Sequence, residues 1–442
     1  MGKIMRIDEI LDSVSVTHRF DKEELIFLNT SDVYEGKILS DKYFKVSELK
    51  GQAKKTIKKD DILFSEIRPK NRRYAFVEID DTEDYVVSTK LMVLRNKSKE
   101  VLTKYIYYFL TYSGTLDYLQ MRAENRIGSF PQITFDVLRP ILVNIPAPKE
   151  QERIVDIISA LDARIEINHK INADLEAMAR TLYNYWFVQF DFPDKKGRPY
   201  KSSGGRMVHD DQLKKDIPEG WDVKRLGEWI YHDKSGDWGK ESPEGNYQLQ
   251  VACIRGADIN GLNGDGEVKA PTRFILEKNA HKLLESHDLI VEISGGSPTQ
   301  STGRLGFVTE ATLERFELPL ICSNFCKAVS LKNKNYLFNF VHLWNRLYDS
   351  GVLFGYEGKT SGIKNLLFES FVGSYLTVYP PAPLAQKFYE RMLPVHNQQQ
   401  LILKQNAELT KLRDWLLPLL MNGQVNIGEG PAYKKKAVGY GR

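Results

Sequence analysis

The feature that most constrains this chain is that it is written twice, with a long helical pattern after each copy. The halves answer each other at a shift of about 226 to 235 residues. Asn29-Thr30-Ser31-Asp32-Val33 before Gly36 matches Arg255-Gly256-Ala257-Asp258-Ile259 before Gly261. Asp60-Asp61-Ile62-Leu63-Phe64 matches His287-Asp288-Leu289-Ile290-Val291, each reading as a turn that enters a buried strand. Ser88 to Leu94 matches Ser323 to Val329. Aromatic helical stretches follow (Tyr105 to Leu110, Tyr336 to Trp344), and each copy closes on a short strand running into prolines, Ile141 to Pro148 and Leu376 to Pro383. Two copies at so long a period exclude a solenoid and predict two similar domains in tandem.

The helical patterns are heptad seams. Ile154, Ile158, Leu161, Ile165, Asn168, Asn172, Leu175, Ala179, Leu182 and Trp186 alternate spacings of four and three. Adding 234 gives Phe388, Met392, Val395, Gln399, Ile402, Asn406, Leu409, Arg413, Leu416 and Leu420, apolar at seven of ten positions. The two helices are therefore expected to pack on each other. The polar seam residues either fix the register of that pairing or face solvent where the helices splay. Pro394 is expected to kink the second helix or mark its start. A first helix of about 38 residues would extend roughly 55 Å, the dimensions of a spacer.

The predicted fold class is α+β: two tandem similar α/β domains separated by two long, mutually packed antiparallel helices, a coiled-coil spacer with pseudo-two-fold internal repetition. The expected boundaries are a first domain at 1–148, a spacer helix at 149–189, a linker at 190–216, a second domain at 217–383, a second helix at 384–422 and a basic tail at 423–442. The Gly, Pro, Ser and charge content of Asp191 to Gly205 predicts a surface linker, and Ile217-Pro218-Glu219-Gly220-Trp221 a turn opening the second domain.

Composition excludes more than it assigns. With 62 basic and 58 acidic residues in 442, the net charge of +4 neither demands nor forbids nucleic acid, because clustering decides binding. Cys253, Cys322 and Cys326 have no partners at zinc-site spacing and are expected to be buried thiols of a reducing cytosol. The charged start Met1 to Glu9 leads into no apolar signal region, and no stretch approaches the ~18 apolar residues of a membrane span. A soluble, cytoplasmic protein is expected.

Enzymatic patterns fail. The only Pro-Pro, Pro380-Pro381, is followed by Ala382, so the Asn- or Asp-Pro-Pro-aromatic motif of an adenine methyltransferase is missing. Pro193-Asp194 and Glu357-Gly358-Lys359 match nuclease letters but lie 163 residues apart. Gly355-Tyr356-Glu357-Gly358-Lys359-Thr360 lacks the earlier P-loop glycine, Leu353 standing in its place. The eight histidines show no metal-ligand spacing. No catalytic residue, metal or cofactor is assigned to this chain.

Two stretches carry a specific resemblance. One is Phe190-Asp191-Phe192-Pro193, then Gly197-Arg198-Pro199-Tyr200-Lys201-Ser202-Ser203-Gly204-Gly205, continuing to Ile217-Pro218-Glu219-Gly220-Trp221. The other is Leu409 to Gly423. In these the chain resembles the specificity subunit of type I restriction–modification systems, and the resemblance extends over essentially its whole length. It implies two target-recognition domains, each reading one half of a split DNA site, and paired helices that set the unread gap. It further implies docking of two methyltransferase subunits, which carry S-adenosylmethionine and methylate adenine N6. A restriction subunit using ATP and Mg would join them as translocase and nuclease. A 55 Å rod corresponds to about 16 base pairs at ~3.4 Å rise, an upper bound on the span.

Candidate readers lie in the loops. Lys37 to Arg73 holds twelve Lys or Arg against five Asp or Glu. In its turn Arg68, Lys70, Asn71, Arg72 and Arg73 suit phosphate contact and base-edge readout, since Arg pairs with guanine and Asn with adenine in bidentate fashion. The matching turn of the second copy offers Ser294, Ser297, Thr299, Gln300 and Arg304. Their different chemistry predicts different half-sites and an asymmetric target. The resemblance places a second loop of each domain on the DNA-facing side: Arg126, Ser129 and Gln132 in the first, Lys359, Thr360, Lys364 and Asn365 in the second. Tyr183, Trp186 and Phe187 are candidates for the methyltransferase interface, or alternatively for packing against the adjacent domain. The competing functions are a protein-binding coiled-coil scaffold and a free-standing DNA-binding regulator.

Overall fold

A computed structural model describes residues 2–49, 51–125, 131–264, 266–297, 299–360 and 363–425. The chain forms two compact units, Met1–Ile165 with Glu408–Arg442 and Glu166–Ala407. Two long helices, α1 (Pro148–Tyr183) and α2 (Ala382–Met421), each contribute to both units.

In the first unit, strands Leu11–Val14, Leu91–Asn96, Ile62–Ser65 and Tyr74–Phe76 form an antiparallel sheet in that order. A second sheet runs Tyr43–Lys45, Glu24–Leu28, Tyr85–Ser88, Ala53–Thr56, its central pair parallel. The second unit repeats the plan. Ile230–Ser235, Cys326–Leu331, Leu289–Glu292 and Leu305–Phe307 make the antiparallel sheet, and Tyr247–Ile254 lies parallel to Leu320–Cys322 in the other. In each unit the opening strand pairs with the closing one: Lys3–Arg6 with Leu142–Ile145, and Asp222–Arg225 with Leu376–Tyr379. The parallel pairs require crossovers, and the long segments between the paired strands, which carry further strands of both sheets, supply them.

The matched residues of the two copies do matched work. The backbone N–H of Asn29 donates to Asp32 (2.8 Å) and that of Arg255 to Asp258 (3.0 Å), each capping a 3-10 turn. Lys58 N–H donates to Asp61 (2.7 Å) and Glu285 N–H to Asp288 (2.9 Å). The residues just before those aspartates, Asp60 and His287, both take positive φ, +66° and +77°. The hydroxyl of Tyr105 donates to the Asn144 carbonyl (2.8 Å) and that of Tyr336 to the Pro380 carbonyl (2.9 Å), tying each aromatic helix to its closing strand.

The seams are buried as their spacing predicts. In the first unit Ile154 and Ile158 share a core with Leu417, Leu420 and Met421, Leu416 packing at its edge. There Asp162 accepts from Arg413 (3.0 Å) and from Tyr108 (2.9 Å), so Arg413 forms a charged clasp within the seam. In the second unit Ala179, Tyr183, Phe388 and Met392 are buried together, with Leu182 and Val395 packed on them. Ile402 is buried, and Leu161, Ile165, Leu175 and Leu409 are half-buried. The polar seam residues do not face solvent: Asn168 Nδ2 donates to Asn406 Oδ1 (2.8 Å) inside the interface, and Asn172 and Gln399 exchange long contacts with each other's backbone. As numbers rise along α1 they fall along α2, so the pairing is antiparallel. Asn406→Leu, which leaves the buried Asn168 amide without its acceptor, is expected to cost about 1–3 kcal/mol in urea unfolding. The double change Asn168→Leu/Asn406→Leu is expected to recover most of that loss.

Two expectations need correction. Pro394 does not mark the start of α2, which is helical on both sides of it, so of the two expected outcomes only the kink remains open to it. The stretch at 190–216 is folded. Phe192 stacks on Tyr200 (centroids 4.6 Å), Asp191 accepts from the Ser202 N–H (2.7 Å), and Met207–Asp210 pairs with Lys215–Pro218. Its aromatic residues decide this: Trp221 sits against Phe187, Phe190 and Phe192, which a Gly/Pro/Ser count does not weigh.

On α2, His396 is 3% exposed, its Nε2 within 3.1 Å of Thr309 Oγ1. Burial, reinforced by the charge of Arg315, pushes its pKa from 6.5 down to about 3. A folded-state pKa below the unfolded value means that folding favours the neutral ring. That stability is complete above pH 6.5 and lost as pH falls toward 3. The urea midpoint is expected to fall over this window, and to fall less in His396→Gln.

Candidate nucleic-acid interface

In the first unit, the strand Ile62–Ser65 ends where Ser65 Oγ accepts from the Ile67 N–H (3.1 Å). The chain then turns sharply: Arg68 and Arg72 take φ of +45° and +54°, on either side of the 3-10 turn Pro69–Asn71. Non-glycine residues held there cost energy that the surrounding structure must offset. Lattice-like stitching supplies it. Arg68 N–H donates to the Pro131 carbonyl (3.1 Å), Ile133 N–H to the Glu66 carbonyl (2.8 Å), and Lys70 N–H to Gln120 Oε1 (3.2 Å). The first and second candidate loops are thereby joined, with Gln132 bridged to Ile67.

The five residues of this turn separate into two groups. Arg68, Lys70 and Asn71 are exposed. Lys70 lies 3.0 Å from Asp117, but both are more than half exposed, so the pair is weak and the ammonium can exchange it for a phosphate. Arg72 is paired with Glu35 (2.8 Å), and Arg73 donates to the Ser31 carbonyl (3.0 Å) while lying over the Tyr34 ring. These two arginines fasten the neighbouring hairpin Val33–Tyr34/Lys37–Ile38 to the turn. That hairpin adds Tyr34, 37% exposed, beside the candidate readers. Its signal in the sequence is Gly36, at φ +94°, where a Cβ would meet the Tyr107 hydroxyl at 2.5 Å. Arg126 and Ser129 lie outside the described residues.

In the second unit the two candidate loops are joined as a sheet: Ser294 and Gly295 pair with Asn365 and Lys364, and Glu357–Thr360 pairs with Ile363–Leu366 on the other side. Lys359 and Thr360 occupy the outer strand, opposite Lys364 and Ile363. Ser294 Oγ donates to Asn365 Oδ1. The turn beyond is closed by Ser297, whose hydroxyl accepts from the Gln300 N–H (3.1 Å), and it leaves Thr299 and Gln300 exposed.

Arg304 does not project as a base reader. Its Nε and Nη2 bind both oxygens of Glu292 (3.0 and 2.6 Å), whose side chain is 2% exposed. A buried carboxylate holds the fork, so Arg304 positions the loop instead. Lys364 is likewise held by Glu357 (3.0 Å) with its ammonium over Phe354. Glu357 also accepts from the Thr302 N–H (2.8 Å). Among the described side chains, which do not include those of Lys359 and Thr360, the loops of the second unit thus present hydroxyl, amide and apolar groups, against guanidinium, ammonium and amide in the first.

Tyr183, Trp186 and Phe187 are not an available partner surface. They are 6%, 3% and 9% exposed, packed around Phe388 in the core of the second unit, with Phe187 also on Trp221. Helical spacing made them prominent, but tertiary packing claims all three. The three cysteines are buried, and burial raises each thiol pKa, that of Cys253 to about 12. Among the described residues no group of three or more His, Cys, Asp or Glu could hold a metal ion, and no helix is long and apolar enough to cross a membrane.

Fold and loops define a tandem-duplicated protein of two α+β units built on paired long helices. Residues 3–177 match the family model described as the type I restriction modification DNA specificity domain. In this the chain is similar to the specificity subunits of type I restriction–modification systems. The specificity subunit of the type I restriction enzyme HindI of Haemophilus influenzae is 46% identical over 182 residues, 40% of this chain and 39% of that protein's length. The MjaIX specificity subunit of Methanocaldococcus jannaschii is 27% identical over 74% of this chain and 70% of its own. The crystal structure of the type I system S subunit from M. genitalium aligns with 95% of this chain and 96% of its own, at 17% identity and TM-score 0.49. The HsdS subunit from Thermoanaerobacter tengcongensis aligns over 96% and 97%, at 19% identity and TM-score 0.37.

Proposed function

We propose that this chain is the DNA-recognition subunit of a type I methyltransferase complex. It reads an asymmetric, split site and catalyses nothing itself. The first unit reads one half-site with Arg68 and Asn71, Lys70 fixing register on the phosphates. The second reads the other half through the sheet and turn around Ser294, Gln300 and Asn365. The reading places S-adenosylmethionine on two docked adenine-N6 methyltransferase subunits, and ATP with Mg on a restriction subunit, none on this chain. What most supports it is that both units stitch together two loops at matched positions and fill them with different chemistry, in a chain similar to the specificity subunits.

The test is single-molecule mapping of N6-methyladenine with the gene intact and deleted. Loss of one split motif on deletion is the expected result. Survival of every methylated motif, in a strain where the methyltransferase subunits are expressed, would overturn the reading. A scaffold that binds only protein would also leave the assembled complex without salt-dependent DNA binding.

A further inference from the structure

The second unit carries an open sheet face whose composition is unusual for a DNA-contacting surface. Side chains alternate faces along a strand. On the strand Ile363–Leu366, Lys364 and Leu366 point inward, Leu366 into the core and Lys364 onto Glu357. Ile363 and Asn365 take the other face, and Leu367, just past the strand, rejoins them: a Cβ at Gly358, opposite Asn365, would meet Leu367 at 3.1 Å. Ile363 is 52% and Leu367 50% exposed. Between them lies the Ser294–Asn365 hydrogen bond. Phe325, 51% exposed, adjoins it, its carbonyl accepting from the N–H groups of Ile293 and Ser294 (2.8 and 3.1 Å).

Three observations bear on what covers this face. It is continuous with the candidate reading turn, because Ser294 belongs to both. The described cations around it are tied down, Arg304 to Glu292, Lys364 to Glu357, and Lys327 to Asp233 and Glu369. Gly358 has no side chain of its own, and this lets Leu367 lie against the sheet beside Asn365. A small β-ribbon of this kind fits the major groove, where the apolar group on offer is the thymine 5-methyl.

We propose that this face reads thymine methyl groups: Ile363, Leu367 and Phe325 contact them, with the Ser294–Asn365 pair set between for a base edge. The half-site of the second unit therefore contains thymine at contacted positions. The inference rests on the DNA-recognition reading above and deepens it.

The test uses the complete complex with its methyltransferase subunits and duplexes carrying the mapped site. Deoxyuridine replaces thymidine in one half-site at a time, removing only the methyl groups. One half-site is expected to lose affinity about fourfold per methyl contacted. In Ile363→Ser/Leu367→Ser that sensitivity is expected to fall to what the Phe325 contact alone supplies, while a thymine-to-deoxyuridine change in the other half has the same effect as in the parent chain. Specific binding that is indifferent to deoxyuridine in both halves overturns the inference and leaves the recognition reading intact. So does sensitivity that persists undiminished in the variant. Loss of methyltransferase co-purification in the variant would make the face a protein interface and overturn it too. Absence of any site-specific binding by the parent complex removes the recognition reading itself, and this inference with it.

Discussion

Arg304→Ala is expected to destabilise the second unit by about 3–5 kcal/mol, because it leaves Glu292 charged and unpaired in a closed site. The carboxylate is 2% exposed, and two glycines press on it: a Cβ at Gly256 would meet Glu292 Oε1 at 2.7 Å, and one at Gly295 at 2.5 Å. Lowered urea midpoints in the full chain check the prediction. Glu292→Leu/Arg304→Met, which removes both charges, is expected to recover much of the stability, as apolar replacements of buried pairs commonly do. If the double variant folds well but the mapped motif loses definition in one half, the pair acts by positioning the Ser294–Gln300 turn. A variant chain with full stability after Arg304→Ala alone would contradict the buried-pair account.

Arg68→Ala is expected to weaken binding by about 1–3 kcal/mol and to relax selection at one position of one half-site. The backbone of the turn should survive, since Arg68 is held by its own N–H to the Pro131 carbonyl rather than by its guanidinium. Lys70→Ala is expected to act differently. It should weaken all sequences about equally and reduce the salt dependence of binding by roughly one counterion. Affinity measured against salt for parent and variants, with single-base changes across the site, separates the two effects. Equal losses for both variants on every sequence would mean that Arg68 contacts phosphate only.

The contrast between the two units has a physical source. In the first, Glu35 and the carbonyls of Ser31 and Val33 occupy only Arg72 and Arg73, leaving the tip of the turn free. In the second, Arg304 and Lys364 are held by Glu292 and Glu357, so on the proposed reading the described side chains there offer shape, hydroxyls, amides and apolar groups. That difference between the two units is what the proposal of an asymmetric target rests on.

Much of this architecture was legible in the sequence. The duplication was visible because turns and buried strands reuse the same residue types: Asp32 and Asp258, Asp61 and Asp288 cap equivalent turns with equivalent hydrogen bonds. The seam was visible because a helix repeats every 3.6 residues, so a four–three alternation marks one face whatever lies around it. The joining of the two candidate loops in each unit followed from their place in the repeat. Local periodicity and turn chemistry need only near neighbours, and near neighbours are what a sequence displays.

Only the tertiary structure decided which of the named side chains are available. Arg304 and Arg68 look alike in sequence, yet a carboxylate twelve residues away in the chain claims one and nothing among the described residues claims the other. Tyr183, Trp186 and Phe187 suit a partner surface or internal packing equally in sequence, and Phe388 and Trp221 close over them. The stretch at 190–216 read as a linker until its aromatics met Trp221. Asn168 and Asn406 could have faced solvent; a partner 238 residues away put them in the interface. Periodicity fixes the face on which a residue lies, while its freedom to bind depends on distant residues that the fold brings within hydrogen-bonding range.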